Sequence, residues 1–287
     1  MGEAQRFAEF RRRLQRDVLC HPVITANPFT TWFRRGQISR EQAAAFVVQF
    51  SVFSNEFLVA QLRKMVNATS LSEMRASKEI LANEIGVGFN GAPGSGPTDE
   101  LGSTTGSVEG GTFRFRAAHF ELLVRMAKPL GLSFEDLGKR SQGSDSTLHF
   151  CDELVRLYGS EDSTVASAAS WAVENWAAAG FWDELVEGWQ RFGDLHEMRQ
   201  LNLAFFTWHA RLEANHAQHT WIELEEVYAS RVVDEDAFVR YANEMLDGVH
   251  VFWKGLDANR RQFESKGREI SFTEGGKIDA DAAQVGF

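Results

Sequence analysis

The stretch Thr207–Trp221, TWHARLEANHAQHTW, decides how the chain is read. His209, Glu213 and His216 stand at i, i+4 and i+7, and at about 100° per residue a helix points all three within about 60° of one another. The flanks, Ala204–Trp208 and Trp221–Leu224, are largely apolar. Two imidazoles and a carboxylate would be costly to bury bare on such a helix, and a bound metal ion compensates them. Metal binding is therefore the first expectation.

Working outward, helical periodicity dominates, and no alternating run is long enough to force a strand, so an all-α fold is expected. A first helix covers about 3 to 18, followed by a loop carrying His21, Pro22 and Pro28. Ser39 caps a second helix to about Asn67, with Gln42 at capping-box spacing and Phe46, Phe50, Phe53, Phe57 and Ala60 as its apolar stripe. Ser70 caps a third helix that Gly86 ends. Residues 86 to 112, rich in Gly, Ser, Thr and Pro, are expected to be a mobile lid or a disordered insertion. A fourth helix is expected from about Arg114 to Lys128, then short pieces near 133–139 and 145–158. Long helices follow over 162–191, 195–229 and 234–265, the last capped by Asp234. The tail from about 267 to 287 looks loosely held, and nothing separates two domains.

The chain has 287 residues, 44% of them hydrophobic, enough for one large core. A net charge of -10 argues against nucleic acid as a partner. The one basic cluster, Arg11, Arg12, Arg13 and Arg16, reads as the solvated face of the first helix. Cys20 and Cys151 have no partner at metal-site or redox spacing, so free thiols in a reducing compartment are expected. The charged N-terminus does not read as a signal peptide, and the apolar run from Gln42 to Asn55 is too short for a bilayer; a cytoplasmic protein with no membrane partner is expected.

Four further residues are candidate metal ligands. Glu56 sits among uncharged polar neighbours, so either it faces solvent or something cationic meets it. Glu84 ends its helix, Glu174 has the least polar surroundings of any carboxylate in the chain, and His119 stands in RAAHFELL. Three imidazoles and four carboxylates on several helices suit two iron or manganese ions. The single Glu-x-x-His among them, Glu213 to His216, disfavours a ferritin-like fold.

In this order the residues resemble the heme-oxygenase-like diiron oxidases and oxygenases. That family carries a Glu on an early helix, a Glu-Gly element with a following His, a middle Glu, and a late His-x-x-x-(Asp/Glu)-x-x-His. Glu56 is similar to the first, Glu84 and His119 to the second pair, Glu174 to the third, and His209, Glu213 and His216 to the late motif. Two departures stand out: 35 positions separate Glu84 from His119, where relatives keep the pair close, and Glu213 occupies a position where Asp is more usual. His219 is a candidate second-shell donor to this set. The resemblance implies a heme-oxygenase-like bundle of about seven core helices, two Fe ions with O2 as cosubstrate, and oxidation of a small organic molecule, as in natural-product biosynthesis. The substrate would be amino-acid-like or an amine, with N-oxygenation or oxidative carbon-carbon cleavage, and fatty-acid decarboxylation stays open. A small-molecule substrate is the expected partner, with a homodimer as the assembly left open. A metal-free thiaminase-like hydrolase or binding protein, a heme enzyme using His21, and a structural helical protein are the rival readings. Arg116, Arg125, Lys128 and Arg211 are candidate anchors for a substrate carboxylate, and spacing does not choose among them.

Overall fold

The computed structural model describes residues 3–88, 103–108, 111–198, 201–230 and 232–281; the side chains described exclude those of 3, 72, 88, 103–108, 111–116, 212–219 and 266–281. The fold is an all-α bundle with one small sheet at its side. The elements run α1 (Glu3–Asp17), α2 (Pro22–Thr25), α3 (Pro28–Phe33), α4 (Arg40–Val66), α5 (Leu71–Glu84), β1 (Val87–Gly88), β2 (Ser103–Val108), β3 (Gly111–Arg116) and α6 (His119–Ala127). After them come α7 (Asp145–Glu153), α8 (Ser163–Ala177), α9 (Phe181–Leu195), α10 (Ala204–Ser230) and α11 (Glu235–Asp281).

The cap signals are where the sequence places them. The Ser39 hydroxyl accepts from the Gln42 amide while the Gln42 side chain accepts from Ser39 N–H, closing the box that starts α4. Ser70 caps α5, and Gly86, at φ +76°, supplies the left-handed residue that turns the chain out of it. Asp234 caps α11 through Ala237 N–H.

Four expectations are corrected. The loop after α1 contains two short helices, because Pro22 and Pro28 sit at first-turn positions and His21 and Asn27 accept from the amides behind them. Residues 103–108 and 111–116 are antiparallel strands in a sheet of order β1-β3-β2; the alternation Thr112-Phe-Arg-Phe-Arg116 was the signal for β3. The fourth helix accordingly starts at His119, where Glu121 reaches back to the Ala118 amide. The long 162–191 helix is two helices, broken where Gly180 takes φ +86°. The backbone of α11 continues to Asp281, into the expected tail, and residues 89–102 and 109–110 of the expected insertion lie outside the described residues.

The core is aromatic. Phe50 alone has Phe46, Phe53, Trp182, Phe205 and Phe252 rings within 6.2 Å. Helix α4 is long and apolar enough to cross a membrane, longer than the run counted from sequence, but Phe46, Phe50, Phe53 and Ala60 are buried against α5, α7 and other helices, which makes it a core helix. Burial separates the two thiols as well. Cys20 is exposed, whereas desolvation pushes the buried Cys151 up to about 12. A disulfide-exchange reagent at neutral pH is expected to titrate one thiol in the folded protein and two after denaturation; two fast thiols in the native state would show that Cys151 is not packed as described.

Candidate metal centre

Four elements bring candidate ligands to one level of the bundle. Glu84 ends α5, His119 opens α6, Glu174 lies late in α8 and His209 early in α10. The 35-residue gap between Glu84 and His119 closes through the sheet: Val87 pairs with Phe115 and Gly88 with Arg114, so the strand leaving α5 is hydrogen-bonded to the strand entering α6. The insertion thus leaves the two ligand positions adjacent.

One donor atom from each of Glu84, His119 and His209 lies within 4.8 Å of the others. His119 is buried, and its Nδ1 sits 2.8 Å from Glu84 Oε2 without the alignment of a hydrogen bond. Two donors sharing one ion at about 2.1 Å stand about 3 Å apart when cis and about 4.2 Å when trans. The Glu84–His119 pair already has cis spacing, and a spread of 4.8 Å needs only a rotamer-scale adjustment to close. His209 Nδ1 donates to the Phe205 carbonyl at 2.7 Å, which places the hydrogen on Nδ1 and the lone pair on Nε2. Its ring stacks on Trp182 at 4.6 Å and 17°, and lies 4.9 Å from that of His119. The residues fit a metal ion in donor type, spacing and tautomer.

A cavity of about 70 Å³ adjoins the cluster, lined by Glu84, His119, Glu174 and His209 together with Phe50, Phe53, Phe57, Trp176, Trp182 and Phe205. It has room for a few water-sized molecules in a largely apolar wall. Glu174 is 9% exposed and reaches both this cavity and a larger one of about 540 Å³ beyond it.

The other sequence candidates divide. Glu56 is not at the cluster: the cation that meets it is Arg140, whose guanidinium donates to Glu56 Oε2 at 2.9 Å and to Asp152. Helix α10 runs unbroken through positions 209, 213 and 216 as expected, and the side chains of Glu213, His216 and His219 lie outside the described residues. His21 has both ring nitrogens engaged, Nδ1 by Val23 N–H and Nε2 by Asp247. Arg125, Lys128 and Arg211 are exposed and line neither cavity, and the Arg116 side chain lies outside the described residues. The cation that does line the larger cavity is Lys64, which the sequence reading missed. The signal was present: Lys64 continues the α4 stripe Phe46, Phe50, Phe53, Phe57, Ala60 at the next helical step.

No family model matches the chain, and no curated protein is similar to it in sequence. Solved structures are. A domain of unknown function with a heme oxygenase-like fold from Shewanella denitrificans aligns over 92% of this chain and 96% of its own, at 13% identity and a TM-score of 0.59. A CADD-like protein of unknown function from Nostoc punctiforme covers 90% and 98%, at 18% identity and 0.57. A TenA homolog from Pseudomonas syringae pv. tomato covers 90% and 93%, at 12% identity and 0.57. The fold is heme oxygenase-like.

Proposed function

We propose that Glu84, His119, Glu174 and His209, with Glu213 and His216 from the next turns of α10, hold two iron ions, and that the protein is a dioxygen-activating oxidase or oxygenase of a small amino-acid-like or amine substrate. The observation that carries this reading is the Glu84–His119–His209 cluster, with His209 oriented by the Phe205 carbonyl. Glu56 is left out of the set because its carboxylate is bonded to Arg140.

Iron held by imidazoles and carboxylates supplies the reduction of dioxygen. The chain's own residues supply the rest. The Phe205 carbonyl holds the His209 ring in one tautomer, and Trp182 restrains its rotation from the ring face. The aromatic wall of the small cavity keeps bulk water away from Glu84 and His119. Glu174, at the junction of the two cavities, is placed to meet both metal and substrate.

A thiol-dependent hydrolase on the same fold is disfavoured by Cys151, which stays protonated at neutral pH and lines neither cavity. Protein reconstituted anaerobically with iron(II) is expected to consume dioxygen on mixing with oxygenated buffer, and Glu174→Ala to lose most of that uptake while keeping its helical circular dichroism. Iron-loaded protein that ignores dioxygen, alone and with amino acids, amines and fatty acids, would overturn the oxygenase reading.

A further inference from the structure

The larger cavity is enclosed by the same helices as the small one, and along each of them the lining passes from one to the other. On α4 it runs from Phe50 and Phe57 to Lys64; on α10, from His209 to Thr220 and Glu223. Positions 213 and 216 fall between these on α10. The two cavities are compartments of one channel that meet at Glu174.

Lys64 is the only cationic side chain among the described residues lining the larger compartment. It donates to the Ser170 hydroxyl, lies 4.8 Å from the Tyr158 ring centroid, and forms no ion pair among the described residues. Ser170 precedes Glu174 by one turn of α8, so the ammonium group is anchored about 5.4 Å along the helix from that carboxylate. Burial lowers the lysine's affinity for its proton, and the nearby charges of Glu223, Glu174 and Glu73 raise it. The compartment therefore sets one cation among several carboxylates. A simple carboxylic acid would add to the negative charge, and a simple amine would leave Lys64 without a counter-ion. A zwitterion satisfies both.

We propose that this compartment is the substrate chamber of the metal centre and that Lys64 holds the carboxylate of an α-amino acid there, with its ammonium group turned toward Glu223. The inference rests on the function proposed above and names its substrate class. With the carboxylate at Lys64, one turn from Glu174, the carbon skeleton enters the channel beside the metal ligands.

The test is isothermal titration of the metal-free protein with three matched probes, L-norleucine, its amide, and hexanoate. Norleucine is expected to bind, and the amide and hexanoate to bind at least about tenfold more weakly, since each lacks one charge-assisted contact. Lys64→Gln is expected to weaken norleucine at least about tenfold and to leave the amide unchanged. The comparison of probes on the unaltered protein decides the matter even if that variant fails to fold. No norleucine binding at millimolar concentration, an amide that binds as well as norleucine, or norleucine binding indifferent to Lys64→Gln would overturn the inference. No metal enters these titrations, so iron uptake with norleucine binding independent of Lys64 overturns this inference alone. Norleucine binding through Lys64 with no iron uptake overturns the metal reading alone.

Discussion

His209→Ala and His119→Ala are each expected to lower the protein's affinity for iron by more than about 100-fold, the upper end of what losing an outer-shell partner alone costs. The two rings lie 4.9 Å apart, and one of them is 2.8 Å from a carboxylate oxygen without bonding to it. Buried nitrogen and oxygen held that close without an aligned hydrogen bond would repel or reorganise unless a cation joined them. Removing either imidazole takes away a donor that no neighbouring side chain can replace, because the surrounding wall is Phe50, Phe53, Trp182 and Phe205. Glu56→Gln is the control. Its carboxylate serves Arg140, so this variant is expected to load iron like the parent. Iron content after anaerobic reconstitution and desalting reads all three; full loading of both histidine variants, or loss in Glu56→Gln alone, would contradict the placement.

The second large effect concerns the scaffold. Gly188 of α9 packs so closely on α3 that a Cβ there would stand 2.6 Å from Phe33 Cδ1 and 2.9 Å from its carbonyl carbon. Phe33 is fully buried and the clash includes backbone, so neither side can swing away. Gly188→Ala is expected to cost about 3 kcal/mol, the upper range for overpacking, despite alanine's better helix propensity. Gly193, five residues on in the same helix, has no neighbour nearer than 3.4 Å, so Gly193→Ala is expected to be neutral or slightly stabilising. Denaturant midpoints of the pair separate packing from propensity. Equal midpoints would show that α3 does not lie against α9 as described.

What the sequence made legible follows from how local each signal is. Ser39 with Gln42, Ser70, Gly86 and Asp234 act within a turn of where they stand, and all mark helix ends in the structure. The i, i+4, i+7 spacing in α10 is likewise local, and α10 is helical throughout. Pairing across long separations was not legible. Glu56 appeared to lack a cation because Arg140 is 84 positions away, and the proximity of Glu84 to His119 depends on a register between β1 and β3 that no short window contains. Lys64 was overlooked for a related reason. On an apolar stripe it reads as a helix-end lysine until α8 brings Ser170 and Glu174 against it. The break at Gly180 was a missed local signal: a glycine in the left-handed region between two apolar helical runs is a helix stop.

The most direct measurement is anomalous diffraction at the iron edge from crystals of protein reconstituted with iron(II) under anaerobic conditions. The expected result is two anomalous peaks inside the bundle, with Glu84, His119 and the Nε2 of His209 as ligands, Glu174 beside them and Glu56 still on Arg140. Peaks elsewhere, or a fully reconstituted crystal with no iron between Glu84, His119 and His209, would contradict the assignment of this cluster as a metal centre.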